Sequence, residues 1–198
     1  MNTPSHLILN LALLRRPVAP AMTWPILIGA LLPDAALFIF YGWARAQGLS
    51  EQIIWGEAYY SEPWQAIFAV GNSIPLGLLG VALGYSFRRS WAGPWIGPWI
   101  GFWGASMVLH HLADLPLHHD DAHQHFWPLS SFRFISPVSY YDADHFGLLG
   151  ATVELVLVLA ATACLLPRLN SGFSKGLLGV MALVTIAGYV VLQIRPLI

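Results

Sequence analysis

Residues 22–43 read MTWPILIGALLPDAALFIFYGW, an apolar run with a single charged residue, Asp34, placed directly after Pro33. About 20 helical residues cross a hydrocarbon core of ~30 Å, so this run predicts a transmembrane helix. A carboxylate at that depth is expensive to keep and marks a default functional position, facing a bundle interior, a partner or a water-filled cavity. Pro33 removes one backbone donor and loosens the helix beside the carboxylate, which frees carbonyl groups for a water or an ion.

Working outward, the whole chain has the same character. Of its 198 residues, 57% are hydrophobic and only 10% charged, with a mean hydropathy of +0.62; this excludes disorder and argues for one membrane-embedded domain over 1–198. Further apolar runs at 64–86, 94–114, 147–166 and 175–194 bring the predicted spans to five. The segment TPSHLILNLALL before them is too short to cross and reads as a half-membrane or interfacial helix. Its arginines follow the apolar run rather than precede it, which disfavours a cleaved signal peptide. The expected fold is therefore an all-α integral membrane protein with five transmembrane helices, the short N-terminal helix and a His/Asp-rich extramembrane loop at 115–146.

Charge sets an expected orientation. Alternate connections place Arg15, Arg16, Arg88, Arg89, Arg168 and Lys175 on one side and Arg45, Arg133 and Arg195 on the other. The richer side is expected to be cytoplasmic, with the N-terminus there and the 115–146 loop outside an inner membrane. With nine basic against ten acidic residues, no basic surface exists to neutralise a run of phosphates, so nucleic acid is not an expected partner. The one cysteine, Cys164, lies in an apolar run and reads as packing. Gly93, Gly97 and Gly101, four apart, form a smooth strip on a helix where a second helix approaches closely, either within the chain or in a homo-oligomer.

Polar chemistry is concentrated. Seven of the eight histidines and five of the ten acidic residues fall between His110 and His145. His110 and Asp114 are four apart, so on a helix they share one face and reach one cation. His6 and Asp34 each lie ~13–15 Å along a helix from the turn around 15–20, so a helical hairpin brings them to one depth. After Pro116, the run HHDDAHQH supplies His118, His119, Asp120, Asp121, His123 and His125. Imidazole nitrogen and carboxylate oxygen suit Zn²⁺, Mn²⁺ or Fe²⁺. Eight residues hold more ligands than one ion needs, so two ions bind or some of these groups orient the ligands and act as general base. Asp142, Asp144, His145 and Glu154 are candidates of lower rank. Aromatic residues from Phe126 to Tyr141 read as a lid at headgroup level.

The motifs SHLILN (5–10), GALLPD (29–34), the His-x-x-x-Asp at 110–114 and WPLS (127–130) resemble the YdjM-like inner-membrane proteins described as metal-dependent hydrolases. The resemblance covers about residues 3–130 and implies His6, Asp34, His110 and Asp114 as metal ligands. Where that family carries a histidine before serine in the second span, this chain has Asn72, which binds hard cations but is a poor zinc ligand; the departure implies a weaker site, a different metal, or replacement of the lost ligand by His118, His119 or another loop histidine.

The leading expectation is thus a membrane hydrolase holding a divalent ion, most naturally zinc, that activates water against an ester or phosphoester. Asp120 or Asp121 is the expected base, Arg133 the group that meets an anionic head group, and a lipid or lipid-linked molecule the substrate. The alternatives are a metal-handling or transport protein and a non-catalytic scaffold.

Overall fold

A computed structural model describes residues 1–15, 20–87, 93–140 and 142–194. Arg16, Arg88, Arg89 and Arg195 of the charge bias and Tyr141 of the aromatic loop lie outside the described residues. The described residues are helical, with no strand. In chain order the helices are α1 (Thr3–Leu14), α2 (Thr23–Ala46), α3 (Glu51–Gly56), α4 (Glu62–Gly71), α5 (Ile74–Phe87), α6 (Gly93–Asp114), α7 (Gly147–Leu165) and α8 (Gly172–Tyr189).

Among the described residues, four stretches are long and apolar enough to cross a membrane: Thr23–Ala46, Glu62–Phe87, Gly147–Arg168 and Gly172–Ile194. The expected span at 94–114 is a helix of full length, 22 residues or about 33 Å. Its composition sets it apart, because glycine, proline, His110, His111 and Asp114 dilute its apolar residues. It is an inner helix, packed against α5 along one side and α2 along another. The expected span at 64–86 falls inside one of these stretches, Glu62–Phe87, which is built not of one helix but of two, α4 and α5, with Asn72 and Ser73 between them. Both residues bond to the histidine-rich loop. The Ile74 amide donates to the His125 carbonyl, His125 Nδ1 donates to the Asn72 carbonyl, and the Ser73 hydroxyl donates to the Trp127 carbonyl. Peptide groups freed by the break are therefore paired inside the protein, as a low-dielectric setting demands.

Side-chain spacing fixes the helix order at the centre. Ser106 and His110, one turn apart on α6, donate to the carbonyls of Ile26 and Ala30, one turn apart on α2, so these two helices run parallel. Asn10 of α1 donates to Ser106 while His6 meets Asp114, so α1 runs antiparallel to both. The α5–α6 contact is made by glycine. A Cβ on Gly104 would sit 2.5 Å from the Gly77 carbonyl oxygen, and one on Gly84 would collide with the Gly101 backbone. Gly97 and Gly101 of the expected strip thus face Gly84 of α5 within the chain; a second copy does not find this part of the strip vacant. Two apolar cores result, one of Ile8, Val158, Ala161, Leu165, Leu178 and Ala182 among α1, α7 and α8, the other around Phe40, Ala44, Ile54, Tyr59 and Phe68.

Candidate metal centre

Three helices converge on one small volume. Pro33 cannot donate to the carbonyl one turn back, and beside that gap the Ala30 carbonyl accepts from His110 Nδ1 at 2.8 Å. The bond spends the N–H of His110 on the backbone and turns Nε2, with its lone pair, toward the interior. His110 Nε2 lies 3.0 Å from Asp114 Oδ2 and 3.5 Å from Asp34 Oδ1. On α1, His6 Nε2 lies 3.0 Å from Asp114 Oδ1, and its ring stacks on that of His110 with centroids 3.6 Å apart. Asp34 Oδ2 accepts from the Thr3 hydroxyl. Donor atoms of His6, Asp34 and His110 all lie within 4.8 Å of one another. The expected meeting of His6 and Asp34 at one depth is what the α1–α2 hairpin produces.

The environment of these groups fits a cation. His6 and His110 are fully buried, and Asp114 is 3% exposed. His6 Nδ1 and His110 Nε2 are buried with no hydrogen-bond partner among the described residues. Leaving a buried polar atom unpaired costs about 1–3 kcal/mol, and a nitrogen lone pair beside two carboxylates is the arrangement that a divalent ion satisfies. The terminal amino group of Met1, 2.6 Å from Asp114 Oδ1, already places one positive charge against the same carboxylate. A cavity of about 690 Å³ opens from this point, and Asp34, Asp114, Asp120, Asp121 and Asp142 line it with His118 and His123. Trp55, Tyr59 and Tyr60 form an aromatic wall.

The loop candidates separate by position. His118 joins the centre: its Nδ1 donates to Asp121 at 2.7 Å and its Nε2 stands 3.8 Å from Asp114 Oδ1. Burial disfavours its imidazolium, yet the carboxylates of Asp114 and Asp121 beside it raise its pKa to about 8. Burial opposes ionisation of Asp121, and the bond from His118 outweighs it, holding this carboxyl below the usual carboxylate range. Burial, and after it the neighbouring His118 and His125, push His123 well below the ordinary imidazole range. His119 points elsewhere, donating to the Ser136 carbonyl and stacking on His145 at 3.8 Å. Asp120 sits at the cavity mouth with its side chain 82% exposed. Asn72 caps α4 by donating to the Phe68 carbonyl. Arg133 is not among the cavity-lining residues; its guanidinium donates to the Ala122 carbonyl and to Gln65 Oε1, pinning the loop to α4. Asp142 is paired with His145 at 2.7 Å on the cavity rim.

Sequence reasoning ranked Glu154 low and missed Thr3, Asn10 and Ser106. Glu154 is 2% exposed, accepts from the Asn2 backbone amide through Oε1, and its Oε2 has no hydrogen-bond partner among the described residues. The overlooked signal was a four-residue polar spacing, Asn2 at the N-cap of α1 with His6 and Asn10 on it, against Ser106, His110 and Asp114 on α6. No family model, no curated protein and no solved structure matches this chain.

Proposed function

We propose that this protein is an integral-membrane, metal-dependent hydrolase whose ion is held by His6, Asp34 and His110, with one oxygen of the Asp114 carboxylate beside the Nε2 of each stacked imidazole. The observation that carries the reading is the buried trio of nitrogen and oxygen donors, with His110 Nε2 orphaned, at the floor of a carboxylate-lined cavity. Such a donor set suits Zn²⁺, Mn²⁺ or Fe²⁺. A divalent ion bound there supplies Lewis acidity, lowering the pKa of water toward ~7 and polarising an ester or phosphoester oxygen. The remaining work falls to the chain. The Ala30 carbonyl fixes the tautomer of His110, and Asp114 holds His6 and His110 in register. Asp121, oriented by His118, is the carboxylate placed to accept a proton in the cavity, and Asp120 marks its entrance.

A lipid-derived substrate follows from what adjoins the centre. A second, apolar cavity of about 840 Å³ runs among α1, α6 and α7 and is lined by Leu9, Leu13, Leu109, Leu112, Val153 and Leu157. Met1 borders both cavities, so the apolar one approaches the polar one. From Leu149 to Cys164 it follows α7 for about 22 Å, longer than the ~15 Å of one leaflet's hydrocarbon. The short motifs shared with YdjM-like proteins support the same reading. It counts α6 as a fifth crossing and places the cavity on the outer side of an inner membrane, opposite Arg15, Arg168 and Lys175.

The test is elemental analysis of the detergent-purified protein carrying no histidine tag, beside His110→Ala and Asp34→Asn. Bound metal is expected in the wild type and lost from the centre in both variants, with helical content retained. Metal-free wild type, or metal unchanged in both variants, overturns the assignment; turnover of lipid phosphoesters by the metal-loaded protein then separates a hydrolase from a metal carrier.

A further inference from the structure

Glu154 is a carboxylate that the metal centre leaves unused. It lies on α7 about 10 Å of helix in from Gly147 and is one of the residues lining the apolar cavity among α1, α6 and α7. The side chain is 2% exposed. Its Oε1 accepts from the Asn2 backbone amide at 2.9 Å, while Oε2 has no hydrogen-bond partner among the described residues. An ionisable group at membrane depth is costly and marks a site, and a buried oxygen left unpaired by the chain is satisfied by a donor that a ligand brings. The wall around it is largely hydrocarbon, with Leu109, Leu112, Val153 and Leu157 in it, and α1 packs against both α6 and α7 to form the floor. The missing partner is therefore an O–H or N–H carried by an apolar molecule.

Position narrows the molecule further. Consecutive backbone nitrogens tie two carboxylates together: Met1 N meets Asp114 Oδ1 at 2.6 Å and Asn2 N meets Glu154 Oε1 at 2.9 Å, so the bonded oxygens stand no more than about 9 Å apart. A donor held by Glu154 is thus a few bonds from a head group in the polar cavity. In the other direction the groove follows α7 from Glu154 to Cys164, about 15 Å, which is the hydrocarbon depth of one leaflet. We infer that the apolar cavity holds the single chain of a monoacyl glycerophospholipid, whose free glycerol hydroxyl donates to Glu154 Oε2 while its phosphate faces the carboxylate-lined cavity. The inference rests on the lipid-substrate reading above and narrows it to one class. A diacyl phospholipid fits neither feature: its glycerol oxygens are all esterified, which leaves Glu154 unpaired, and its second chain has to lie outside the groove between α6 and α7.

The experiment measures equilibrium binding of radiolabelled 1-oleoyl-glycerol 3-phosphate to the full-length protein in maltoside detergent, with and without chelator, beside its 2-deoxy analogue, which lacks only the hydroxyl, and the 1,2-dioleoyl lipid. All three carry the same phosphate, so metal at the centre acts on each alike and the ratios report the groove. Wild type is expected to bind the monoacyl lipid about tenfold tighter than either comparator, the effect of one hydrogen bond to a charged acceptor. Glu154→Leu, which keeps the volume without the acceptor, is expected to bring the monoacyl lipid and its 2-deoxy analogue to one affinity. Leu157→Trp, which fills the groove, is expected to weaken both about tenfold. Circular dichroism verifies the fold of each variant, and the wild-type ratios decide the matter if Glu154→Leu does not fold. Equal wild-type affinities for the monoacyl lipid and its 2-deoxy analogue, or a preference that survives in folded Glu154→Leu, overturns the hydrogen bond to Glu154. Diacyl lipid bound as tightly as monoacyl, or full affinity in Leu157→Trp, overturns the single-chain groove. Saturable binding of none of the three overturns the lipid-substrate reading itself, whereas absence of metal from the centre moves none of these ratios, so the readings fail separately.

Discussion

Asn10 shows what a single side chain does at the centre of this bundle. Buried to 2% exposure, its amide donates to both the carbonyl and the hydroxyl of Ser106, and that hydroxyl donates onward to the Ile26 carbonyl. One residue thereby ties α1 to α6 and, through α6, to α2, one turn from the candidate ligands His6 and His110. Interhelical polar contacts of this kind contribute about 1–2 kcal/mol in an apolar setting. Asn10→Ala is therefore expected to lower the unfolding free energy in detergent by about that amount, since it strands the Ser106 acceptors. Metal stoichiometry should stay at the wild-type value, because Asn10 donates to α6 and not to the ligands. Denaturant titration with parallel metal analysis checks both halves, and loss of metal would show that the ladder positions the ligands as well as the helices. His6 and Asp34 were legible in the sequence by counting residues from one turn. Asn10 and Ser106 were not, because each looks ordinary alone and only their four-residue spacing to His6 and His110 gives them a face.

At the scale of elements, the α5–α6 pair is built on absent side chains. Gly77, Gly80 and Gly84 of α5 meet Gly101, Gly104 and Val108 of α6 so closely that a methyl group at Gly84 collides with backbone, which cannot rotate away. Gly84→Ala is expected to lower the thermal midpoint in detergent by several degrees, a cost of the overpacking class of about 1–3 kcal/mol. Gly42→Ala is the matched control: it sits in α2 with nothing within 4 Å of the added carbon, and the change gains up to about 1 kcal/mol of helix propensity. Equal shifts in the two variants would deny that α5 and α6 pack on glycine. The glycine strip was visible in the sequence, but its partner was not, since periodicity shows a smooth face without saying which helix lies on it. The break at Asn72 and Ser73 was hidden for a related reason. GNSIPLGLL reads as continuous apolar helix until the loop residues His125 and Trp127, some fifty positions later, are seen to bond there.

For the whole molecule, the arrangement separates two ends. Arg15 donates to the Arg168 carbonyl at 3.3 Å, which brings the α1 terminus and the α7 terminus together, and Lys175 begins α8 close by in sequence. The candidate metal-site residues lie near the opposite end of α1, with Met1 and His6 on Asp114, so the N-terminus, expected on the side of Arg15, lies instead at the carboxylate-lined cavity, and Glu57 is on the exposed connection between α3 and α4. Apolar length foretold the helices, and the basic residues give an orientation that is an expectation, whereas α6 as an inner helix needed the packing, because its composition alone is too polar for a lipid-facing span. The orientation has a direct test in cells. With Cys164 replaced by serine, a single cysteine introduced as Glu57→Cys is expected to react with a membrane-impermeant maleimide in intact cells, and one introduced as Lys175→Cys only after lysis. Glu57 and Lys175 are both exposed, so reactivity reports side rather than burial. The reverse pattern would invert the protein and put the carboxylate-lined cavity in the cytoplasm, where the substrate has to be sought in the inner leaflet. Reaction at both positions in intact cells would deny that the helices between them separate two compartments, and with it the membrane origin of the substrate.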